Sequence, residues 1–228
     1  MFRWLLDIFF PRTCACCSRV LTGTENQLCL QCLMDIPRTN MHRMADNQIE
    51  QLYWGKVEIQ HASAYFYYEQ GSNYRKAIHR MKYGNRPLVG NVFGHVAAAE
   101  LTSDGALHDV DLLLPVPLHR RRQRQRGYNQ SWHIAEGMAE VMHLPVDTTS
   151  VERRIANESQ TTKHYYERYH NVQGIFSVLH PEALNGCHVL IVDDVITTGS
   201  TTESLARTIL QHTHHTRVSV FALAVAHS

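Results

Sequence analysis

Hydrophobic and polar positions along the chain form two kinds of pattern: short apolar runs typical of strands, and longer stretches with the apolar spacing of helices. The strand-like runs cover residues 57–68, 110–117, 148–154, 188–194 and 216–226. The helix-like stretches between them cover residues 72–83, 88–102, 129–143, 161–169 and 200–212. In the last stretch, one apolar face carries Leu205, Ala206, Ile209 and Leu210.

Apolar strands that alternate with helices predict an α/β fold, in which helices cover both faces of a parallel sheet. In such sheets, ligands bind beyond the carboxyl ends of the strands. The residues that directly follow the strands are therefore the first candidates for a functional site.

The composition is that of an ordinary globular protein, with 44% hydrophobic and 19% charged residues among 228. This length is enough for one sizeable core and a small additional unit. Lys and Arg number 22 against 21 Asp and Glu, so the formal net charge of +1 gives no global reason to expect binding to nucleic acid or membranes. The 16 His are mostly scattered singly, and we assign them no role.

The N-terminal stretch MFRWLLDIFFP has only part of the pattern of a signal peptide. Asp7 interrupts the apolar run, which is shorter than a membrane span and is followed by no small-residue cleavage site. We therefore expect a short amphipathic packing segment, no membrane insertion and a cytoplasmic protein.

The polar residues 38–51 indicate a boundary near residue 45, which would separate a small unit, 1–45, from a larger one, 46–228.

Five of the six cysteines fall in one stretch, CACCSRVLTGTENQLCLQC. Cys14 with Cys17, and Cys29 with Cys32, form two C-x2-C pairs separated by eleven residues, which is the spacing of a zinc ribbon. Four thiolates around one Zn²⁺ leave no position for a substrate, so the metal would be structural and would contribute to folding. Cys16 could replace Cys14 or Cys17 with poorer geometry, and free buried thiols are the alternative to a metal site.

A second candidate site follows the strand-like run at 188–194, in the stretch VLIVDDVITTGST. Asp193 and Asp194, at the carboxyl end of that strand, can accept hydrogen bonds from the vicinal hydroxyls of a ribose. The next residues offer backbone N–H groups, hydroxyls and a helix N-terminus to a phosphate. These residues are Thr197, Thr198, Gly199, Ser200 and Thr201. A strand-to-helix turn with N-capping Thr and Ser would explain the loop but not the paired acids.

This stretch resembles the signature of type I phosphoribosyltransferases, which bind phosphoribosyl pyrophosphate (PRPP), and it implies a parallel sheet of that type after the zinc ribbon. In that family, the loop after another strand holds the pyrophosphate, and the corresponding segment here carries five Arg between Arg120 and Arg126. The resemblance implies that Arg126 and its neighbours bind pyrophosphate, with Mg²⁺ accompanying the PRPP. A solvated basic loop is the alternative. Asn129 to Ser131 could cap the following helix.

Further motifs resemble the ComF family, the ComFC-type competence proteins, over nearly the whole chain. They are HRMKYGNRP, PVPLHRRRQRQRGYNQS, ESQTTKHYYERYHNVQGIF and the four-cysteine ribbon. The resemblance implies that Lys82 contacts the pyrophosphate or stays solvated at a helix end. It also implies a mobile lid that runs from Arg153 toward Asn171. The lid positions that match the motif are Gln160, Thr161, Arg168 and Asn171.

Two functions follow from these resemblances. As a phosphoribosyltransferase, the chain would release pyrophosphate from PRPP and transfer the phosphoribosyl group to an acceptor, for which the sequence shows no base-selecting residues. As a competence factor without catalysis, it would use the ribbon and the arginines to bind single-stranded DNA or a helicase partner. ComF proteins are associated with DNA uptake and transformation. Because an Arg-rich loop binds phosphates in either case, the sequence leaves both functions open.

Overall fold

The computed structural model describes residues 11–155 and 174–226. Within these ranges the chain forms six α-helices and six strands. The helices are α1 (Leu30–Met34), α2 (Asn73–Tyr83), α3 (Leu88–Ser103), α4 (Arg120–Arg126), α5 (Gln130–Met142) and α6 (Ser200–His212). The strands are β1 (Ala62–Tyr68), β2 (Leu112–Pro115), β3 (Val151–Arg153), β4 (Phe176–Val178), β5 (His188–Ile196) and β6 (Arg217–Ala226).

Four of the strands form one sheet in the order β1-β6-β5-β2. All three neighbouring pairs are parallel, and in the two pairs that β5 forms, Ile191 lies beside Val220 on β6 and beside Leu114 on β2. The predicted parallel sheet flanked by helices is therefore confirmed. The helices expected at 72–83, 88–102, 129–143 and 200–212 match α2, α3, α5 and α6 to within one residue, and the one expected at 161–169 lies outside the described residues.

The strand expected at 148–154 does not join the parallel sheet, contrary to the prediction. Its residues Val151–Arg153 form an antiparallel pair with β4. The free edge of β2 is already occupied, because Leu113 donates its N–H to Pro145 O at 2.9 Å and accepts from the N–H of Asp147 at 2.9 Å. The side chain of Asp147 then accepts hydrogen bonds from the next backbone N–H groups and turns the chain away.

The segment after β2, expected as a loop, contains the helix α4. The His119 side chain caps its first turn, and Gly127, with φ 82°, ends it. None of the helical residues is buried, because the sequence RRRQRQR has no apolar face. Hydrophobic periodicity therefore gave no sign of this helix.

Side chains on the sheet alternate between its two faces. On β5, Leu190 and Val192 belong to one buried cluster, together with side chains of α2, α3 and α5. Val189 and Ile191 belong to a second cluster, together with side chains of α6, β3 and β4. Both faces are therefore covered, which is the arrangement that a parallel sheet requires.

Helices α3 and α5 approach each other closely, and two glycines make this approach possible. A Cβ at Gly94 would lie 2.1 Å from the backbone O of Ile134. A Cβ at Gly137 would lie 2.0 Å from the backbone O of Asn91. Because α5 begins beside the carboxyl edge of the sheet, this contact also fixes the position of Ser131 there.

The four-cysteine unit packs directly against this α/β core. Its apolar side chains belong to the same buried cluster as those of α2 and α3. They include Cys14, Ala15, Cys16, Leu21, Leu28 and Ile36. In the part of the chain that the structure describes, no helix is long and apolar enough to cross a membrane.

Candidate functional site

The carboxyl end of β5 brings the predicted acids and the predicted phosphate loop together. The strand continues through Asp193 and Asp194 to Ile196, two residues further than the sequence pattern indicated. The chain then turns at Gly199, which has φ 71° and is the N-cap residue of α6. This left-handed conformation is easy for glycine and strained for other residues, so the sharp turn from strand to helix depends on it.

The first turn of α6 is open to an anion. The N-cap residue is Gly199, so no Thr or Ser side chain occupies that position, unlike in the alternative of a capped turn. Thr197, Thr198 and Ser200 are exposed at the same place. Unpaired N–H groups at a helix N-terminus attract phosphate, because they carry donors and the positive end of the helix dipole.

The side of the loop that faces the protein is supported by Tyr53. This tyrosine is fully buried, and its hydroxyl shares a hydrogen bond of 2.7 Å with Thr202 Oγ1. Thr202 in turn donates to the carbonyl of Gly199 at 2.9 Å. The segment before β1 thus supports the predicted phosphate loop from the protein side, a contact that no sequence pattern indicates.

The two aspartates have different partners. Asp194 is only 5% exposed, and its Oδ1 lies 2.9 Å from Nζ of Lys82. Its other oxygen, Oδ2, is buried without a hydrogen-bond partner among the described residues. Asp193 Oδ1 accepts from the Ser131 hydroxyl at 3.2 Å and from the N–H of Asp194 at 2.8 Å.

The charges at this edge influence one another. Burial, together with the charge of Asp194, raises the pKa of Asp193 to about 7. Burial alone would lower the pKa of Lys82, but the attraction of Asp194 outweighs it and raises that pKa. Lys82 therefore holds a charged ion pair with Asp194, and it is not the solvated side chain that one interpretation of the sequence allowed.

Arg126 lies at the end of α4, near the C-terminus of α2. Its guanidinium lies 5.0 Å from the ring centre of Tyr83 and donates to Gln130 Oε1. The Tyr128 hydroxyl donates to the carbonyl of Met81 at 2.5 Å, which fixes the α4–α5 turn to the helix that carries Lys82. The other α4 arginines are exposed; they are Arg120, Arg121, Arg122 and Arg124.

The turn into α5 is capped as the sequence predicted. The Asn129 side chain accepts from the N–H of Ser131 at 3.0 Å and donates to the carbonyl of Val116 at 3.1 Å. This cap fixes the start of α5 to the end of β2, and it points the Ser131 hydroxyl toward Asp193.

A cleft of about 570 Å³ lies between the end of β2, the α4–α5 turn and β3. Arg153, whose residue exposure is 9%, is part of its wall. Burial and the nearby charge of Arg122 lower the pKa of Arg153. The wall also includes Pro117, Leu118, Tyr128, Trp132 and Thr149. Apart from Arg153, which was expected to begin the lid, none of these was predicted as a site residue, because they come from separate parts of the chain.

The lid residues Gln160, Thr161, Arg168 and Asn171 lie outside the described residues. Of the predicted lid, the structure describes its start at Arg153 and the return of the chain in β4. The predicted roles of these four residues stay predictions.

Four cysteines come together at the N-terminal unit, and they are the four of the predicted ribbon. The Sγ atoms of Cys14, Cys17, Cys29 and Cys32 all lie within 4.8 Å of one another, and those of Cys17 and Cys29 are 3.7 Å apart. Four sulfurs at about 2.3 Å from a tetrahedral Zn²⁺ would be separated by about 3.8 Å. Cys16 is not among the four, so the C-x2-C pairs rather than the alternatives with Cys16 fit a metal.

Backbone donors favour the thiolate form of Cys14, whereas burial raises the pKa of Cys32. The N–H of Cys29 donates to Sγ of Cys14 at 3.3 Å. Burial raises the pKa of Cys14, but N–H groups of Cys17 and Cys29 outweigh it and lower that pKa to about 7. A thiolate stabilised in this way is suited to a thiophilic cation.

A second group of potential metal ligands, His42, Glu100 and Asp104, is already paired with arginines. Arg43 Nε lies 2.7 Å from Asp104, and Arg38 Nε lies 2.7 Å from Glu100. These ion pairs neutralise both carboxylates. The group therefore joins the segment before β1 to α3 and is not a good cation site.

Comparison with curated proteins finds relatives that match between about half and nearly nine tenths of this chain. The DNA utilization protein YhgH of Shigella flexneri is 27% identical over 203 residues, which are 87% of this chain and 84% of the relative. The competence protein ComFC of Bacillus subtilis is 33% identical over 49% of this chain and 43% of its own length. Competence protein F of Haemophilus influenzae is 27% identical over 65% of this chain and 66% of its own length. No protein-family model matches the chain.

Comparison with solved structures finds only limited similarity. One, described as the allosteric regulatory enzyme of purine biosynthesis, has 18% identity and a TM-score of 0.40 over 59% of this chain and 26% of its own. A hypoxanthine phosphoribosyltransferase from Staphylococcus aureus has 12% identity and a TM-score of 0.36 over 62% of this chain and 73% of its own.

Proposed function

We propose that this chain, a member of the ComF group of competence and DNA-utilization proteins, binds PRPP at the carboxyl edge of its parallel sheet and acts in the uptake or handling of DNA. Membership rests on the YhgH and ComF relatives and on the sequence motifs that resemble the family. The role in DNA handling follows from the names of those relatives. Support for the ligand comes from the chemistry of the site.

The observation that carries the proposal is the buried carboxylate of Asp194. Its Oδ2 is buried without a hydrogen-bond partner among the described residues, on the strand that leads into α6. An unsatisfied buried acceptor costs about 1–3 kcal/mol. A hydroxyl of a bound ribose would recover this cost once binding opens access to the oxygen, which is buried in the free protein. With Asp193 beside it, the pair would accept from both vicinal hydroxyls of the sugar.

The 5-phosphate of the same sugar would bind in the loop from Thr197 to Thr201. Backbone N–H groups of the first turn of α6 would donate to its oxygens, and the exposed hydroxyls of Thr197, Thr198 and Ser200 would add further donors. A phosphorylated ribose satisfies the acids and the loop together, whereas a free phosphate or a free sugar would satisfy only one of them.

The pyrophosphate would lie toward α4, where Arg126 and the exposed arginines supply positive charge. Mg²⁺ would enter with the PRPP and would offset negative charge of the pyrophosphate, so that no cage of protein ligands is needed. Arg153 in the wall of the adjoining cleft adds a buried guanidinium on the same side.

This site also supports phosphoribosyl transfer. The bond between C1 and the pyrophosphate oxygen would break, and the leaving pyrophosphate would keep the electron pair. An acceptor nucleophile would then form the new bond to C1 and lose a proton. The protein would contribute by holding the reactants in place and by stabilising charge, with arginines on the leaving group and carboxylates near the ribose.

We assign a structural Zn²⁺ to Cys14, Cys17, Cys29 and Cys32. The spacing of the sulfurs and the low pKa of Cys14 support this assignment. Bound there, Zn²⁺ would supply a tetrahedral cross-link between the two C-x2-C turns, and all four positions would be occupied by protein.

A second candidate function, binding of single-stranded DNA, is favoured by the exposed arginines of α4. Arg122 and Arg124 are exposed and could contact the phosphates of a DNA strand without using the acidic pair. The two functions would share the exposed arginines of α4, whereas the acidic pair and the 197–201 loop would serve PRPP alone.

Calorimetric titration with PRPP and Mg²⁺ tests the proposal, with Asp194→Asn as the main variant and Asp46→Asn as its matched control. Asp46 is exposed and far from the site in sequence, and the same change of carboxylate to amide is made there. We expect wild type and Asp46→Asn to bind equally, and Asp194→Asn to bind about 10- to 100-fold more weakly, since hydrogen bonds to a charged group are lost. Thermal melting would show whether each variant is folded.

Binding of labelled oligothymidylate over a salt series separates the two functions. Replacing Arg122 and Arg124 by Gln should reduce the salt dependence by about 0.7 in log–log slope for each lost phosphate contact. Asp194→Asn should leave DNA binding intact. Wild-type protein that binds the oligonucleotide but shows no heat with PRPP would overturn the PRPP proposal and leave DNA binding as the function.

A further inference from the structure

We propose that α2 couples the four-cysteine cluster to the ribose carboxylates, with Arg80 as the positioning residue. Zn²⁺ in the cluster would fix α2, and α2 would fix Lys82 against Asp194, so that metal and PRPP each strengthen the binding of the other. This inference rests on the proposed PRPP site and goes beyond it, since it assigns the N-terminal unit a role in ligand affinity.

One end of the coupling is the guanidinium of Arg80, which binds the loop between Cys14 and Ser18. Its Nη1 donates to the carbonyls of Cys14 at 3.0 Å and Ala15 at 2.8 Å, and its Nη2 donates to the hydroxyl of Ser18 at 2.8 Å. Ser18 has φ 66°, a conformation that favours glycine. Arg80 therefore stabilises the strained turn that brings Cys14 and Cys17 together.

The second cysteine pair is attached to the same helix. The hydroxyl of Tyr74 donates to the carbonyl of Cys32 at 2.8 Å, and Tyr74 is buried. Six positions separate Tyr74 from Arg80, which is about 9 Å along the helix axis. α2 thus holds both halves of the cluster, and a change in their separation would change its position.

At the other end, the C-terminal turn of α2 reaches the acids. Lys82 follows Arg80 by two residues and forms the 2.9 Å ion pair with Asp194. The carbonyl of Met81, between them, accepts from Tyr128 in the α4–α5 turn. Ala77, Ile78 and Met81 are completely buried, so the helix is held in the core. Arg80 and Lys82 lie in the same last turn, so a shift of the cysteine loop that moves Arg80 also moves Lys82.

Electrostatic attraction explains why a bound metal would strengthen the contacts between the first cysteine loop and the arginines. Arg86 donates to the carbonyl of Thr13 at 2.8 Å, so two guanidiniums bind the first cysteine loop from the same side. Burial and the charge of Arg80 lower the pKa of Arg86. Four thiolates around one Zn²⁺ carry a formal charge of about −2, which would compensate the two arginines and tighten their contacts.

The test measures the affinity for PRPP with Mg²⁺ in the zinc-loaded and zinc-free full-length chain, and the affinity for Zn²⁺ with and without PRPP. We expect zinc to tighten PRPP binding by at least about fivefold, and PRPP to tighten zinc binding by the same factor, because linkage is reciprocal. In Arg80→Gln this factor should fall to near one, while each ligand still binds alone. Arg80→Lys, which keeps one donor and the charge, should restore part of the coupling.

Lys76→Gln is the matched control, because Lys76 is exposed on the same helix and its side chain bonds only to Asn73 among the described residues. It should keep the full coupling. A wild-type factor of one, or an unchanged factor in Arg80→Gln, would overturn the inference.

A readout without PRPP separates this inference from the proposed function. Amide hydrogen exchange at the last turn of α2 and at Asp194 should rise on zinc removal in wild type. In Arg80→Gln it should already be raised with zinc bound. If wild type fails to bind PRPP, the proposed function fails, and the exchange data still decide whether the cluster and the acids are coupled.

Discussion

Asp193 is a carboxylate placed where its charged form is disfavoured. Burial and the neighbouring Asp194 raise its pKa, while Lys82 forms its ion pair with Asp194 rather than with Asp193. Such an arrangement lowers the stability of the folded chain, and proteins tolerate it mainly at functional positions. A ligand that donates hydroxyl groups to the pair would relieve part of this cost.

The raised pKa of Asp193 predicts how stability depends on pH. A carboxyl group whose pKa is higher in the folded state than in the unfolded state destabilises the fold once the pH is high enough to ionise it. For Asp193 the pKa is about 4 in the unfolded chain and about 7 in the folded chain, so the free energy of unfolding should fall as the pH rises from 4 to 7. Asn in place of Asp193 can still accept from Ser131 but does not titrate. The stability gained by Asp193→Asn should therefore be near zero at pH 4 and should increase to a plateau above pH 7.

Urea unfolding of wild type and Asp193→Asn at several pH values measures this difference. Asp46→Asn serves as a control, since no comparable rise is expected at an exposed position. If Asp193→Asn changed the free energy of unfolding by the same amount at every pH, folding would not raise the pKa of Asp193.

Among the elements, those with an apolar face were predictable from the sequence and those without one were not. α2, α3, α5 and α6 were found to within one residue because their apolar residues repeat at helical spacing. α4 was missed because its sequence is entirely polar, and β3 was misplaced because strand partners are chosen by contacts distant in the chain. Local patterns carry no information on such contacts.

The same division holds for the candidate site. Asp193, Asp194 and the phosphate loop were located because they form one continuous stretch. The pairing of Lys82 with Asp194 spans more than a hundred residues, and no spacing rule could reveal it. Tyr53 and the cleft wall were missed for the same reason.

The contact between α3 and α5 predicts a graded response to Gly→Ala substitution. Gly137→Ala should destabilise the protein by about 3 kcal/mol, because its Cβ would meet a rigid backbone oxygen at 2.0 Å. Gly90→Ala is the matched control on α3, where the nearest atoms are the Met81 sulfur at 3.0 Å and a side-chain carbon of Ile134 at 3.2 Å. These side chains can move, and alanine improves helix propensity, so the net effect should stay within about 1 kcal/mol.

Chemical denaturation of both variants provides the measurement. Equal destabilisation at the two positions would mean that side-chain crowding, and not the backbone approach of the helices, limits this contact.

For the whole molecule, the central fact is that one buried cluster runs from the cysteine unit into the α/β core. A unit that shares its core with the sheet should not unfold independently of it. A metal bound by that unit, as proposed, would then stabilise the entire chain.

Removal of zinc with a chelator is expected to lower the melting temperature of the full chain by roughly 10 °C in a single transition. Scanning calorimetry, with far-UV circular dichroism at the starting temperature, measures this shift. Two separate transitions in the zinc-free protein would show that the cysteine unit and the α/β core melt independently.

The hydrogen bond between Tyr53 and Thr202 has a consequence for how this protein can be divided. The phosphate loop belongs to the last third of the sequence, yet its support comes from a segment that precedes the first strand. A fragment beginning at β1 would contain every residue predicted to touch the sugar and its phosphate. It would lack Tyr53, whose hydroxyl supports the loop that binds the phosphate. A chimera of two relatives should therefore take the segment around Tyr53 and the first turn of α6 from the same parent.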